Sequence, residues 1–148
     1  MTVKSFDKSP FFLCICPTYK RPELLANMVA CYQRQTYKNS YLFICDDAFQ
    51  IKKTQGRRWE LSSSKFRHPS LAHKLNYMVE ILVTKESYFW YEERQLIVSI
   101  WEDDDVYLPH HLQTIADVWF DYPGHPYQAF FPEEVYSNYN QPKDGTVI

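Results

Sequence analysis

The chain reads as one open α/β sheet, mostly parallel and flanked by helices. Three observations predict this. Strand-like apolar runs alternate with stretches of helical period, the runs are continuous instead of alternating with polar residues, and they end in abrupt polar or acidic turns. A continuous run suits a strand buried on both faces, and parallel strands need crossovers long enough to hold a helix.

The first strand is expected over 11–16, Phe-Phe-Leu-Cys-Ile-Cys, between Pro10 and Pro17. A helix follows from Pro22, which suits a first turn. Glu23 complements the positive end of its dipole, and Leu24, Leu25, Met28, Val29 and Tyr32 recur at helical spacing until the pattern fades before Thr36. The run 41–45 ends in Asp46 and Asp47, so the opening third is a βαβ unit with a parallel pair and a right-handed crossover. Residues 49–69 lack a period and carry Lys52, Lys53, Arg57, Arg58, Lys65 and Arg67, which reads as a basic solvated loop. Leu71, Leu75, Met78, Val79 and Leu82 mark a second helix. An aromatic and charged connector over 88–95 precedes a further buried-type strand over 96–101. Pro109 opens a third helix to about residue 120, 127–131 is a further strand, and 133–148 is a polar tail.

A length of 148 residues is that of one domain, able to bury roughly 70% of the surface its unfolded chain exposes. Hydrophobic residues at 45% and charged residues at 23% exclude a disordered or fibrous chain. Aromatic residues reach 18% against only three Gly, so the core is bulky and a Gly-rich phosphate loop is all but excluded. The formal charge of −2 sets up no field towards nucleic acid or anionic membrane. Cys14, Cys16, Cys31 and Cys45 lack metal-binding spacing and sit in apolar surroundings, as buried reduced thiols of a cytoplasmic protein would. The apolar run at 11–16 is too short for a signal peptide or a membrane span.

In open α/β sheets ligands bind beyond the carboxyl ends of the strands. Three segments fall there: 17–21, Asp46-Asp47, and Glu102-Asp-Asp-Asp105. Four successive carboxylates repel one another unless solvent or a cation relieves them, and hard oxygen ligands suit Mn²⁺ or Mg²⁺. The competing reading is a solvated, helix-capping loop. His110-His111 offers at most one ligand, because adjacent helical side chains diverge. The sequence contains no GxGxxG, GxxxxGK[ST], GxSxG or HExxH motif, which sets aside dinucleotide dehydrogenases, P-loop enzymes, serine hydrolases and metalloproteases.

Pro17-Thr-Tyr-Lys-Arg-Pro22, Gln35-Thr-Tyr37, Asp46-Asp47 and Trp101-Glu-Asp-Asp-Asp-Val-Tyr-Leu-Pro109 occur in order, with Lys74 and Asn76 in the second helix. In this the chain resembles family 2 glycosyltransferases of the GT-A fold over about residues 11–120. The resemblance implies a shortened GT-A sheet and transfer of a sugar from a nucleoside diphosphate sugar, a UDP-sugar by preference, to an acceptor it does not identify. By the same resemblance Pro17, Thr18, Tyr19 and Arg21 line the nucleotide pocket, Asp46 or Asp47 holds the base, and Lys74 approaches the base or diphosphate. The acidic run stands as the family's DxD motif, with Asp104 as metal ligand. Asp103 binds ribose or Asp105 assists the metal, depending on the register, with Mn²⁺ or Mg²⁺ as cofactor.

Three departures stand out, the first being that in one register the acidic motif opens on Glu102 in place of Asp, which lengthens the side chain. Ala48-Phe49 replaces the small Gly-Ser that the family usually carries after the Asp pair, and the chain lacks about a hundred residues that hold the family's acceptor site and catalytic base. Glu133 and Glu134 are the only late acidic pair, readable as a base or as surface carboxylates. The alternatives are a catalytically inactive or truncated nucleotide-binding and assembly module, and a metal-dependent nucleotidyltransferase. The aromatic excess in a short chain also points to apolar surface covered in a homo-oligomer.

Overall fold

The computed structural model describes residues 9–84 and 96–121. Their elements in chain order are β1 (Phe11–Thr18), α1 (Pro22–Gln33), β2 (Ser40–Asp46), β3 (Thr54–Gln55), β4 (Trp59–Ser63), α2 (Leu71–Thr84), β5 (Leu96–Ile100) and α3 (His111–Asp121). The expected strand at 127–131 and the connector at 88–95 lie outside the described residues. Among the described residues no helix is long and apolar enough to cross a membrane.

The α/β class and the mostly parallel sheet are as expected. The strands lie in the order β3-β4-β2-β1-β5. β1 runs parallel to β2 and β5, β2 runs parallel to β4, and the short β3 is antiparallel to β4. The chain leaves β1 towards β2 and β4, then returns through α2 to place β5 on the other side of β1. The order therefore switches at β1, and the carboxyl end of β1 is where a crevice opens.

Alternate residues of β1 serve opposite faces, which is why its sequence is apolar throughout. Phe12, Cys14 and Cys16 join Leu42 and Ile44 of β2 beneath α1 and α3, against Leu25, Met28, Tyr32, Leu112 and Ala116. Phe11, Leu13 and Ile15 join Phe43 and Cys45 beneath α2, against Met78 and Leu82. All four cysteines are buried and free. Burial pushes the thiols of Cys14 and Cys16 far up and that of Cys45 to about 11, so these three are apolar packing groups. β1 runs past Pro17 to Thr18. Its pairing with β5 stops at Ile15, so Pro17 extends the strand along β2, where a missing N–H is tolerated.

Two expectations are corrected. Residues 49–69 are not one irregular loop, because Trp59–Ser63 forms a parallel strand on β2. Gly56 permits the turn from β3. A Cβ there would lie 2.1 Å from Trp59 Nε1, and the Gly56 N–H donates to the Trp59 carbonyl at 2.9 Å. The second correction concerns β5, which is a strand but is not buried on both faces. Val98 and Ile100 are 43% and 51% exposed, and β5 edges the described sheet.

Gln35 and Tyr37 of the Gln-Thr-Tyr motif act structurally. Gln35, fully buried, donates to the Leu108 carbonyl at 2.7 Å and accepts from the Leu112 N–H at 3.1 Å, fastening the segment that enters α3 to the end of α1. Tyr37 donates to the Pro10 carbonyl at 2.5 Å.

Candidate functional site

After β1 the chain turns sharply through Lys20, which takes a left-handed φ of 56°. Arg21 follows at the N-cap of α1, where its side chain caps nothing. It reaches instead across the switch point, to the acidic run that follows β5. Its Nη1 donates to Asp103 Oδ1 and to Asp104 Oδ2, each at 2.9 Å. Thr18 Oγ1, at the end of β1, donates to the other Asp103 oxygen at 2.6 Å. Asp103 is thus buried with both oxygens bonded, whereas Asp104 lies half in solvent.

The acidic run is braced from behind. Trp101 stacks on Tyr107 with ring centroids 4.0 Å apart, and the Glu102 N–H donates to the Tyr107 hydroxyl at 2.7 Å. Burial, reinforced by the charges of Asp105, Asp104 and Asp103, raises the Glu102 carboxyl above its ordinary value.

The two aspartates ending β2 have different tasks. Asp46 accepts from the Ala48 N–H at 3.0 Å, the Gln50 N–H at 3.1 Å and the Ser63 hydroxyl at 2.9 Å, so it shapes the turn and ties it to β4. Asp47 faces the other way. Its Oδ1 accepts from Lys74 Nζ at 2.7 Å and Arg67 Nη1 at 3.0 Å, and its Oδ2 from the His68 N–H at 3.1 Å. Burial alone would raise the Asp47 carboxyl, but the hydrogen bonds from Lys74 and His68 and the charges of Lys74 and Arg67 outweigh it and hold the carboxyl below its ordinary value.

These side chains enclose an open cavity of about 300 Å³, at the small end for ligand sites. Seven of the residues expected at a nucleotide site line it: Pro17, Thr18, Tyr19, Arg21, Asp47, Lys74 and Asp103. Asp46 does not line it, and Asp104 touches it only through Arg21. Asp105 is exposed beyond Asp104. Glu133 and Glu134 lie outside the described residues. His111 packs edge-on against Trp101 and Tyr107.

The remaining wall is 67–71, of which Arg67, His68 and Pro69 close the basic stretch expected as a loop and Leu71 opens α2. Arg67 lays its guanidinium 3.6 Å from the centre of the Tyr19 ring while holding Asp47. His68 packs between Phe66 and Tyr77, each ring centroid 4.7 Å away. The sequence signal that could have singled out Arg67 is its place just before α2.

Among the described residues no group of three or more His, Cys, Asp or Glu is arranged to hold a metal ion. Magnesium and manganese commonly need less, one or two carboxylates completed by ligand phosphates. Asp104, which uses one oxygen on Arg21, and the exposed Asp105 fit that smaller requirement. Chemically the cavity offers cations towards an anion from Arg21, Arg67 and Lys74, acceptors towards hydroxyl or N–H groups from Asp47 and Asp103, and a flat aromatic face at Tyr19. No family model, curated protein or solved structure matches the chain.

Proposed function

We propose that the chain is a GT-A-type glycosyltransferase of the family 2 kind, taking a nucleoside diphosphate sugar, UDP-linked by preference, as donor. One observation carries the reading. The segments following β1, β2 and β5, far apart in sequence, supply a single cavity at the switch in strand order, with Asp47 and Lys74 at one end and Arg21 and Asp103 at the other. In this reading Tyr19 and Asp47 receive the base, Asp103 accepts from the ribose, and Arg21 faces the diphosphate. Asp104 and Asp105 would hold Mn²⁺ or Mg²⁺, which when bound supplies positive charge against the leaving diphosphate. Arg21 adds to that charge, and the buried Lys74 keeps Asp47 ionised and oriented. The free buried thiols fit a cytoplasmic setting.

A second reading, a nucleotide-binding module without transfer, is favoured by the state of the carboxylates lining the cavity. Among the described residues these are Asp47 and Asp103, and both are held by hydrogen bonds and cations, which suits binding better than taking a proton from an acceptor.

Calorimetric titration of UDP and GDP with Mn²⁺, with chelator, and with Asp104→Ala tests the proposal. Saturable binding that needs Mn²⁺ and weakens in Asp104→Ala is expected, followed by UDP release from a UDP-sugar in an acceptor screen. Metal-dependent binding without release would select the module. Absence of binding by either nucleotide would overturn both readings.

A further inference from the structure

We infer that Arg21 and a divalent cation are alternative counter-ions for Asp104, so that cation binding is coupled to a phosphate group drawing Arg21 off the acidic run. The inference rests on the nucleoside diphosphate reading above, and it concerns the order and mutual dependence of the two ligands.

The geometry is specific to one atom. Nη1 of Arg21 lies 2.9 Å from an oxygen of each carboxylate, so a single nitrogen bridges Asp103 and Asp104 as a shared cation would. A dication held by Asp104 would lie against the guanidinium, and like charges at such spacing repel strongly. Neutralisation by Arg21 is also incomplete, with one guanidinium paired to two of the four carboxylates of Glu102 to Asp105.

Arg21 is able to leave. Its side chain is 49% exposed, it caps no backbone group of α1, and it lines the cavity that a diphosphate would enter. A guanidinium pairs with phosphate at least as well as with carboxylate, through paired N–H donors. An arriving diphosphate therefore offers Arg21 a new partner and leaves Asp104 free for the cation. Without phosphate, Arg21 screens the acidic run and cation affinity is low.

The test reads Mn²⁺ binding directly, by the loss of the free-ion electron paramagnetic resonance signal, with no dependence on activity. In the absence of nucleotide, Arg21→Gln should bind Mn²⁺ roughly fivefold more tightly than wild type, the upper end for one exposed ion pair. Arg21→Lys, which keeps the charge, should stay near wild type. Added UDP should tighten Mn²⁺ binding in wild type and do so much less in Arg21→Gln. Equal Mn²⁺ affinities for wild type and Arg21→Gln, including no binding by either, would overturn the inference. UDP binding in neither protein would instead sink the nucleotide reading and the phosphate half of the coupling, while the nucleotide-free arm still decides the counter-ion half. If Arg21→Gln does not fold, the Arg21 Nε–Hε resonance of wild type serves. It should shift when Mg²⁺ and UDP are added together, and an unmoved resonance with both bound would overturn the inference.

Discussion

Lys74 Nζ donates to Asp47 Oδ1 at 2.7 Å and to the Thr18 carbonyl at 2.5 Å, so one buried ammonium pins helix α2 to the ends of two adjacent parallel strands. Lys74 is 4% and Asp47 2% exposed. An ion pair so deep stabilises little relative to an apolar pair of the same shape, because both charges have left water. What it does is hold α2, and with it the 67–71 wall, at one setting against the crevice.

Removing one partner should therefore cost far more than removing both. Lys74→Met should lower the free energy of unfolding in urea by about 3 kcal/mol, the scale for a buried carboxylate stripped of its partner. The double variant Lys74→Met with Asp47→Leu should recover much of that loss and still bind no UDP. A single-variant loss below about 1 kcal/mol would show that Arg67 and the His68 N–H suffice to hold Asp47.

Stability should fall in mildly acidic solution because of His68. Its imidazole is held below its ordinary value of 6.5 by burial, Asp47 opposing the shift and Lys74, His73 and Arg67 adding to it. Nε2 is buried without a hydrogen-bond partner among the described residues, so a proton gained there would be poorly met. The unfolded chain takes up that proton first. Stability is thus complete above about pH 6.5 and declines as pH falls through the window below it. His111, lowered by burial and by His110, acts in the same direction. Melting temperature measured from pH 7.5 to 5 should drop in wild type and drop less in His68→Phe, and parallel curves would remove His68 as the cause.

The legibility of this chain divides along physical lines. β1, β2, α1 and α2 were readable because each carries its signal in its own sequence, a continuous apolar run in the two strands and a helical period in the two helices. β4 was not. Trp59-Glu-Leu-Ser-Ser carries a Glu at a buried position, tolerated because Lys53, from the approach to β3, lies 3.6 Å from its carboxylate. That compensation belongs to the fold and not to the segment. The exposure of Val98 and Ile100 likewise depends on where β5 lies in the sheet, which composition does not encode. Within the site, the strand ends marked Thr18, Arg21, Asp47 and Asp103. Which of Asp46 and Asp47 faces the cavity depends on one residue of strand direction, and Arg67 was one cation among six in an aperiodic stretch.

With few glycines, the chain places Phe49 in the left-handed region, at φ 60°. Such a conformation costs a side-chain-bearing residue roughly 1–2 kcal/mol that glycine avoids. Phe49 is 57% exposed, so loss of its side chain removes little packing. Phe49→Gly should raise stability by about 1 kcal/mol after the added unfolded-state entropy of glycine is counted, visible as a higher melting temperature. A fall instead would show that the ring contributes contacts worth more than the strain.

Arg67 offers the sharpest separation of fold from function. Its side chain is 54% exposed, and its ion pair with Asp47 is duplicated by the shorter, buried one from Lys74. Arg67→Ala should therefore change stability by less than about 1 kcal/mol. Its guanidinium also backs the Tyr19 ring at 3.6 Å, fixing an aromatic face at the cavity on which a base could stack. Stacking of a base on an aromatic side chain is worth about 1–3 kcal/mol, so an unbacked Tyr19 should weaken UDP binding by roughly tenfold. Tyr19→Ala should weaken it at least as much, and the double variant little more than Tyr19→Ala alone, because Arg67 acts through the ring. Calorimetry with UDP on the three variants checks this. Additive losses would mean that Arg67 meets the nucleotide itself, and unchanged affinity in all three would place the base elsewhere in the crevice.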